Sequence, residues 1–201
     1  MKLEKVRALR PSHVIVNVDE NTRQTADALG AFVPQLIVTH PLGPLDNLAL
    51  YRQIGTAFGK EHEAEMLCSL FERAFRKIGK YEFPQRRVLY LIWKDPWMTV
   101  SRDTYVSRML AAFNLQTLPY PVDERYPKLA GLDVSGVEII LLSTEPYRFR
   151  EPHVREIRLQ TRKPAFLIDG EMTSWYGSRA IQALGYLAEF TSRLPSTPAA
   201  A

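Results

Sequence analysis

The chain has 201 residues, 46% apolar and 24% charged, with a net charge of +4, the make-up of an ordinary globular protein able to build one sizeable core or two small lobes. Lys and Arg are interspersed with acids, and neither a basic run nor a phosphate-cradling Gly loop is present, so nucleic acid is not an expected partner. A single cysteine, Cys68, rules out an internal disulfide and a thiolate cluster, and His13, His40, His62 and His153 lack ligand-like spacing, so neither a metal site nor a required cofactor is expected.

The first residues, MKLEKVRALRP, are charged and lack the apolar core of a secretion signal. No segment reaches the roughly 18 apolar residues of a membrane helix. Read literally, these features place the chain in the cytoplasm. Apolar residues at 3, 6 and 9 predict a short amphipathic helix stopped by Pro11. HVIVNV (13–18) is β-branched and predicts a strand. DENTRQTADALG (19–30) predicts a loop entering a helix that ends at Gly30, and QLIVTH (35–40) a second strand. Helix, strand, helix, strand is the rhythm of a parallel sheet with crossover helices.

From Pro44 to about Lys80 the pattern is helical, with Ala64, Leu67, Cys68, Phe71, Phe75 and Ile78 at three- and four-residue steps. Gly55 and Gly59 mark a bend or break. The α/β alternation then resumes. RRVLYLIW (86–93) predicts a strand and DTYVSRMLAAFN (103–114) a helix capped by Ser101 or Asp103. GVEIILLST (136–144), apolar on both faces, predicts a central parallel strand. A helix over 151–160, a strand over 164–169 and a closing helix over 178–194, started by Ser178, complete the order.

The large aromatics fall at strand ends. Trp93 and Trp97 flank KDP after the first strand of this half, Tyr147 and Phe149 follow the second, and Trp175 follows the third. Ligands of open α/β sheets sit outside the carboxyl ends of the strands. A rim of flat, amphipathic groups there suits a large, apolar-bodied ligand. Asp95, Asp103, Asp169 and Glu171 lie near the same rim and could serve acid/base chemistry. No histidine or nucleophile is placed with them and no G-x-S-x-G elbow is present, so no catalytic residue is expected.

VLYLIWKDPWMTVSRDTYVSRML, RYPKL, VEIILLSTEPYRFREPHV and FLIDGEMTSWYGSRAIQAL, in this order, resemble the cobalamin-type, helical-backbone substrate-binding proteins of ABC importers. The resemblance runs over nearly all of residues 1–194. It implies an α/β fold of two Rossmann-like lobes with parallel sheets, joined by a long backbone helix, with the ligand held between the lobes. The expected division is a partial N-terminal lobe over 1–43, a connecting helical region over 44–80, a C-terminal lobe over 81–195 and a disordered tail over 196–201. It implies a monomeric periplasmic protein whose ligand is a corrinoid such as vitamin B12, an iron siderophore or haem, with Trp93, Trp97, Tyr147 and Trp175 as the C-lobe wall of the pocket. It implies docking on the permease through one acid per lobe, here Glu4, in KLEKVRALRPSHVIV, and Glu171.

Members of this family begin with a signal or lipoprotein anchor and then roughly 50 to 60 residues of further strands, judged from ordinary βαβ lengths. The chain starts at the helix carrying Glu4, so its N-lobe is expected to be truncated, marginal, and open at one sheet edge. A degenerate fragment, a cytoplasmic relative without a transport role and a chelatase-like enzyme on a related fold are the alternatives.

Overall fold

The computed structural model describes residues 2–118 and 124–195. The tail over 196–201, expected to be disordered, lies outside the described residues. Two compact units are formed, Met1–Pro41 and Leu42–Ala201. No described helix is long and apolar enough to cross a membrane.

In the first unit, α1 (Leu3–Leu9), β1 (His13–Asn17), α2 (Arg23–Gly30) and β2 (Gln35–Thr39) follow the expected order. The strands pair in parallel, His13 opposite Gln35 through Asn17 opposite Thr39. Arg10 takes a left-handed conformation and ends α1 just before Pro11. The Thr22 hydroxyl accepts from the Thr25 N–H and starts α2. Val16, Leu29 and Val33 form the core, with Leu3, Val6, Val14, Phe32 and Leu36 packed on it. Leu9, expected on the same stripe as Leu3 and Val6, is 80% exposed. At 100° per residue, two steps of three carry it off the face that Leu3 occupies.

The second unit begins with α3 (Asp46–Phe58) and α4 (Glu61–Ile78). The stretch expected as a connecting region of its own is an antiparallel helical hairpin built into this unit. Gly59, left-handed at φ 63°, ends α3. Tyr51 meets Phe71 edge to face, the Cys68 thiol reaches the Leu48 carbonyl, and Arg52 pairs with Glu65 at 2.6 Å. Gly55 is buried mid-helix; a Cβ there would lie 2.6 Å from Ala64 Cβ. Of the two glycines read as bend markers, Gly59 makes the turn and Gly55 lets the helices close. α4 has 18 residues, about 27 Å of helix.

The sheet holds β3 (Arg86–Trp93), β4 (Met98–Thr99), β5 (Leu115–Thr117), β6 (Ile139–Ser143) and β7 (Ala165–Ile168). β6 lies between β3 and β7, all parallel; β5 pairs in parallel with the start of β3 and β4 antiparallel with its end. Every residue of β6 is buried. Val88, Tyr90, Ile139 and Leu141 pack with α4, α5 (Tyr105–Ala111) and α8 (Arg179–Ser192), while Leu89, Leu91, Ile140 and Leu142 pack with Val154 and Ile157 of α6 (Glu151–Thr161). Period-two alternation thus feeds two apolar faces, as a doubly covered parallel sheet requires.

Three local expectations are corrected. The cap of α5 is Thr104, whose hydroxyl accepts from the Ser107 N–H, not Ser101 or Asp103. Ser178 stands at the start of α8 but makes no side-chain cap bond. The segment from 170 to 174, for which no element is expected between the strand over 164–169 and the closing helix, is a short helix, α7 (Gly170–Ser174), capped by the Asp169 carboxylate on the Met172 N–H.

Gly55→Ala is expected to destabilise the protein by about 1–3 kcal/mol through overpacking against Ala64. Gly185→Ala, in α8 with no atom within 4 Å of the new Cβ, is expected to be neutral or to stabilise by up to about 1 kcal/mol. Urea unfolding of the two variants checks the contrast in sign.

Candidate functional site

The carboxyl ends of β3, β6 and β7 carry the aromatics. β3 ends at Trp93, 40% exposed. The chain leaving β6 is tied back by the Tyr147 N–H, which donates to the Ile92 carbonyl at 3.3 Å. This tie sets the Tyr147 ring 5.5 Å from that of Trp93, edge to face. Tyr147 packs on buried Phe149 at 4.6 Å, and Phe149 stacks on Trp97 at 6.1 Å with nearly parallel planes. His153 of α6 closes the group with edge contacts to Tyr147 and Phe149, its Nδ1 accepting from the Arg150 N–H. Lys94 sits over the Trp97 ring at 5.6 Å and bonds Glu156 at 2.6 Å.

Trp175 stands apart from this ring chain, 49% exposed. Its indole N–H donates to the Glu145 carboxylate at 3.1 Å. The Arg179 guanidinium lies 5.8 Å from its ring centre and also pairs with Glu171 at 2.9 Å. Glu145, Glu171, Arg148, Arg150 and Arg179 edge a groove of about 670 Å³ beside Phe149 and Met172. Of the four residues expected in the wall, Trp93, Tyr147 and Trp97 are joined through Phe149, and Trp175 joins them through Glu145, two residues before Tyr147. Trp97 spends one face on Phe149, so Trp93 and Trp175 offer the most open aromatic surface.

Glu171, expected to meet a permease, is held by Arg179. Glu4 is exposed in the first turn of α1. The carboxylates weighed for acid/base chemistry have other partners: Asp169 caps α7 and Asp103 pairs with Arg108 at 2.7 Å. Among the described residues no group of His, Cys, Asp and Glu is arranged to hold a metal ion.

A buried hydroxyl network supports the rim. The Tyr90 hydroxyl, on a residue 1% exposed, donates to Ser143 Oγ at 2.9 Å and lies 2.5 Å from Thr173 Oγ1. Ser143 Oγ donates to the Glu145 carbonyl, and Thr173 Oγ1, which donates its one proton to the Tyr90 oxygen, stands 3.0 Å from the Gly170 carbonyl. The two segments that meet at the Glu145–Trp175 bond are therefore fastened to the middle strands from below. Glu145, Arg179 and Tyr90 are missed by sequence reasoning. Their one signal is position: an acid closing a strand, a cation opening a helix, and a phenol inside an otherwise aliphatic run.

No protein-family model and no curated protein matches the chain. Solved structures do. The periplasmic vitamin B12 binding protein of Vibrio cholerae aligns with a TM-score of 0.75 at 10% identity, over 96% of this chain and 80% of that one. A periplasmic heme-binding protein from Roseiflexus sp. RS-1 aligns at 0.72 and 18%, over 94% and 78%. IsdE of S. aureus, solved with heme, aligns at 0.73 and 13%, over 95% and 81%. The chain thus has the helical-backbone α/β fold of these binding proteins, as its motifs implied.

The Tyr90 hydroxyl also sets a pH response. Burial pushes its pKa up to about 12, against the opposing pull of its hydrogen bonds to Ser143 and Thr173. An unfolded tyrosine titrates near 10. Between these values the unfolded state loses its proton first, so stability is full below about pH 10 and falls as pH rises towards 12. Burial also raises Tyr51 and Tyr105, which act with the same sign. Tyr90→Phe is expected to cost about 1–3 kcal/mol at pH 8 and to make the alkaline decline shallower. Urea titrations at pH 8 and at pH 11 measure both; equal declines in the two proteins would contradict the assignment.

Proposed function

We propose that the protein is the solute-binding component of an ABC importer, and that it captures a corrinoid, haem or another metal chelate. The observation that carries the reading is the aromatic rim, Trp93, Tyr147 and Trp175, at the carboxyl ends of three parallel strands, in a fold shared with proteins named for binding vitamin B12 and heme. Flat amphipathic rings suit a macrocycle, which brings its metal already chelated. The capped and paired states of Asp169 and Asp103 weigh against the enzyme alternative.

In this reading Trp93, Trp97, Tyr147 and Trp175 form the wall on the second unit, with Trp97 also supporting it from behind. Glu4 and Glu171 are the acids that meet cationic side chains of the permease. Arg179 already neutralises Glu171, so a permease arginine has to share or replace that pair. The protein works as a monomer in the periplasm.

Adding haem, cyanocobalamin or a ferric siderophore to the protein is expected to quench tryptophan fluorescence with at least one of the three. Trp175→Ala is expected to weaken that binding about tenfold or more, the scale of an aromatic anchor in a contact. Absence of both quenching and a thermal shift with every chelate would sink the reading.

A further inference from the structure

Trp175 is half exposed, yet the residues after it are firmly held, and the hold comes from α3. Tyr176 meets the ring of Tyr105 edge to face at 5.8 Å. Both backbone groups of Gly177 are met by side chains: its N–H donates to Asn47 Oδ1 at 2.7 Å, and its carbonyl accepts from the Tyr51 hydroxyl at 2.8 Å as well as from the Ala180 N–H at 3.0 Å. Asn47 is 0% exposed. Its Nδ2 donates to the Pro44 carbonyl at 2.8 Å and to the Tyr105 hydroxyl at 3.0 Å. With two oxygens facing one end of the amide and an N–H facing the other, only one orientation of the side chain is satisfied. Burial keeps the Tyr51 phenol protonated and therefore a donor.

Gly177 itself adopts φ 79°, and a Cβ there would meet nothing within 4 Å. The glycine is needed for the conformation rather than for room. Asn47 and Tyr51, residues 126 to 130 positions away in sequence, bond the backbone in this conformation beside the local Ala180 N–H. Two inward anchors directly after Trp175 leave its indole pointing away from the core, between Glu145 on one side and Arg179 on the other.

We propose that Asn47 and Tyr51 are positioning residues for the ligand wall. By holding both backbone groups of Gly177 they fix the segment from Trp175 to Arg179, and so present the Trp175 indole in one preorganised orientation. Their effect on affinity rests on the chelate-binding reading; the clamp itself does not. Preorganisation of this kind acts by removing an ordering cost from the binding step.

The test separates the two. In ligand-free protein carrying Trp93→Phe and Trp97→Phe, Trp175 is the sole tryptophan. Adding Tyr51→Phe, which keeps the ring against Phe71 and deletes one hydroxyl, is expected to shift Trp175 emission and increase its quenching by acrylamide. Gly177→Ala, which leaves both clamp side chains in place, is expected to do the same. A folded Tyr51→Phe protein with unchanged Trp175 emission and quenching overturns the proposal. Binding of haem and of cyanocobalamin, followed by the chelate's own absorption, is then compared in the wild type, Tyr51→Phe, Trp175→Ala and the double variant. Tyr51→Phe is expected to weaken binding about fivefold, the factor of one net hydrogen bond, and to add nothing once Trp175 is gone. Equal weakening with and without Trp175 marks a general structural role and also overturns it. If haem, cyanocobalamin and a ferric siderophore all fail to bind the wild type while the Trp175 signal shifts, the clamp stands and the binding reading falls.

Discussion

A parallel strand buried on both faces has only its ends in which to place polar or bulky flat groups, and this constraint organises the second unit. β6 is the strand in question, buried at every residue from Ile139 to Ser143. Its neighbours β3 and β7 run parallel to it, so all three open at the same edge. The first polar residue that β6 supplies, Ser143, is spent on turning the chain, donating to the Glu145 carbonyl. Everything that could meet a ligand is pushed beyond that point: Glu145, Tyr147, and the aromatics that close on them from β3 and from α7.

How much of this is legible in the sequence follows from the same constraint. Runs such as VLYL and IILLS have no solvent face, so composition alone marks them as interior strands. β4 and β5, two and three residues long, carry too few side chains for any period to show. α7 is hidden for a related reason: five residues make barely more than one turn, and the acid that caps it, Asp169, looks in sequence like one more carboxylate. Thr104 outcompetes Ser101 and Asp103 as a cap because the hydroxyl must stand three residues before the N–H it accepts, a geometric condition that composition does not encode.

The candidate site divides along the same line. Aromatics at strand ends could be named from the sequence because both the strands and the rings are conspicuous. Their partners could not. Glu145 and Arg179 matter through a single indole, and Asn47 through a glycine, and each of these contacts joins segments far apart in the chain. Long-range polar pairs leave no periodic trace. The helical stretch before the sheet shows the limit most plainly: its stripe of Ala64, Cys68, Phe71 and Ile78 predicted a buried face, but not that part of what covers it is the preceding helix folded back.

That folding-back gives α3 a second role. One side of the helix fills core through Leu50 and Tyr51, while Asn47 and the Tyr51 hydroxyl reach the backbone beyond α7. A buried amide is stabilising only when every donor and acceptor is met, and a half-met one costs more than an apolar side chain would. Asn47 meets the condition through Pro44, Tyr105 and Gly177, contacts that exist together in one arrangement of the Trp175 segment. The penalty for leaving any of them unmade disfavours other arrangements. An exposed indole held this way loses little freedom when something flat is laid against it, which is the property a binding wall needs and a loose surface tryptophan lacks.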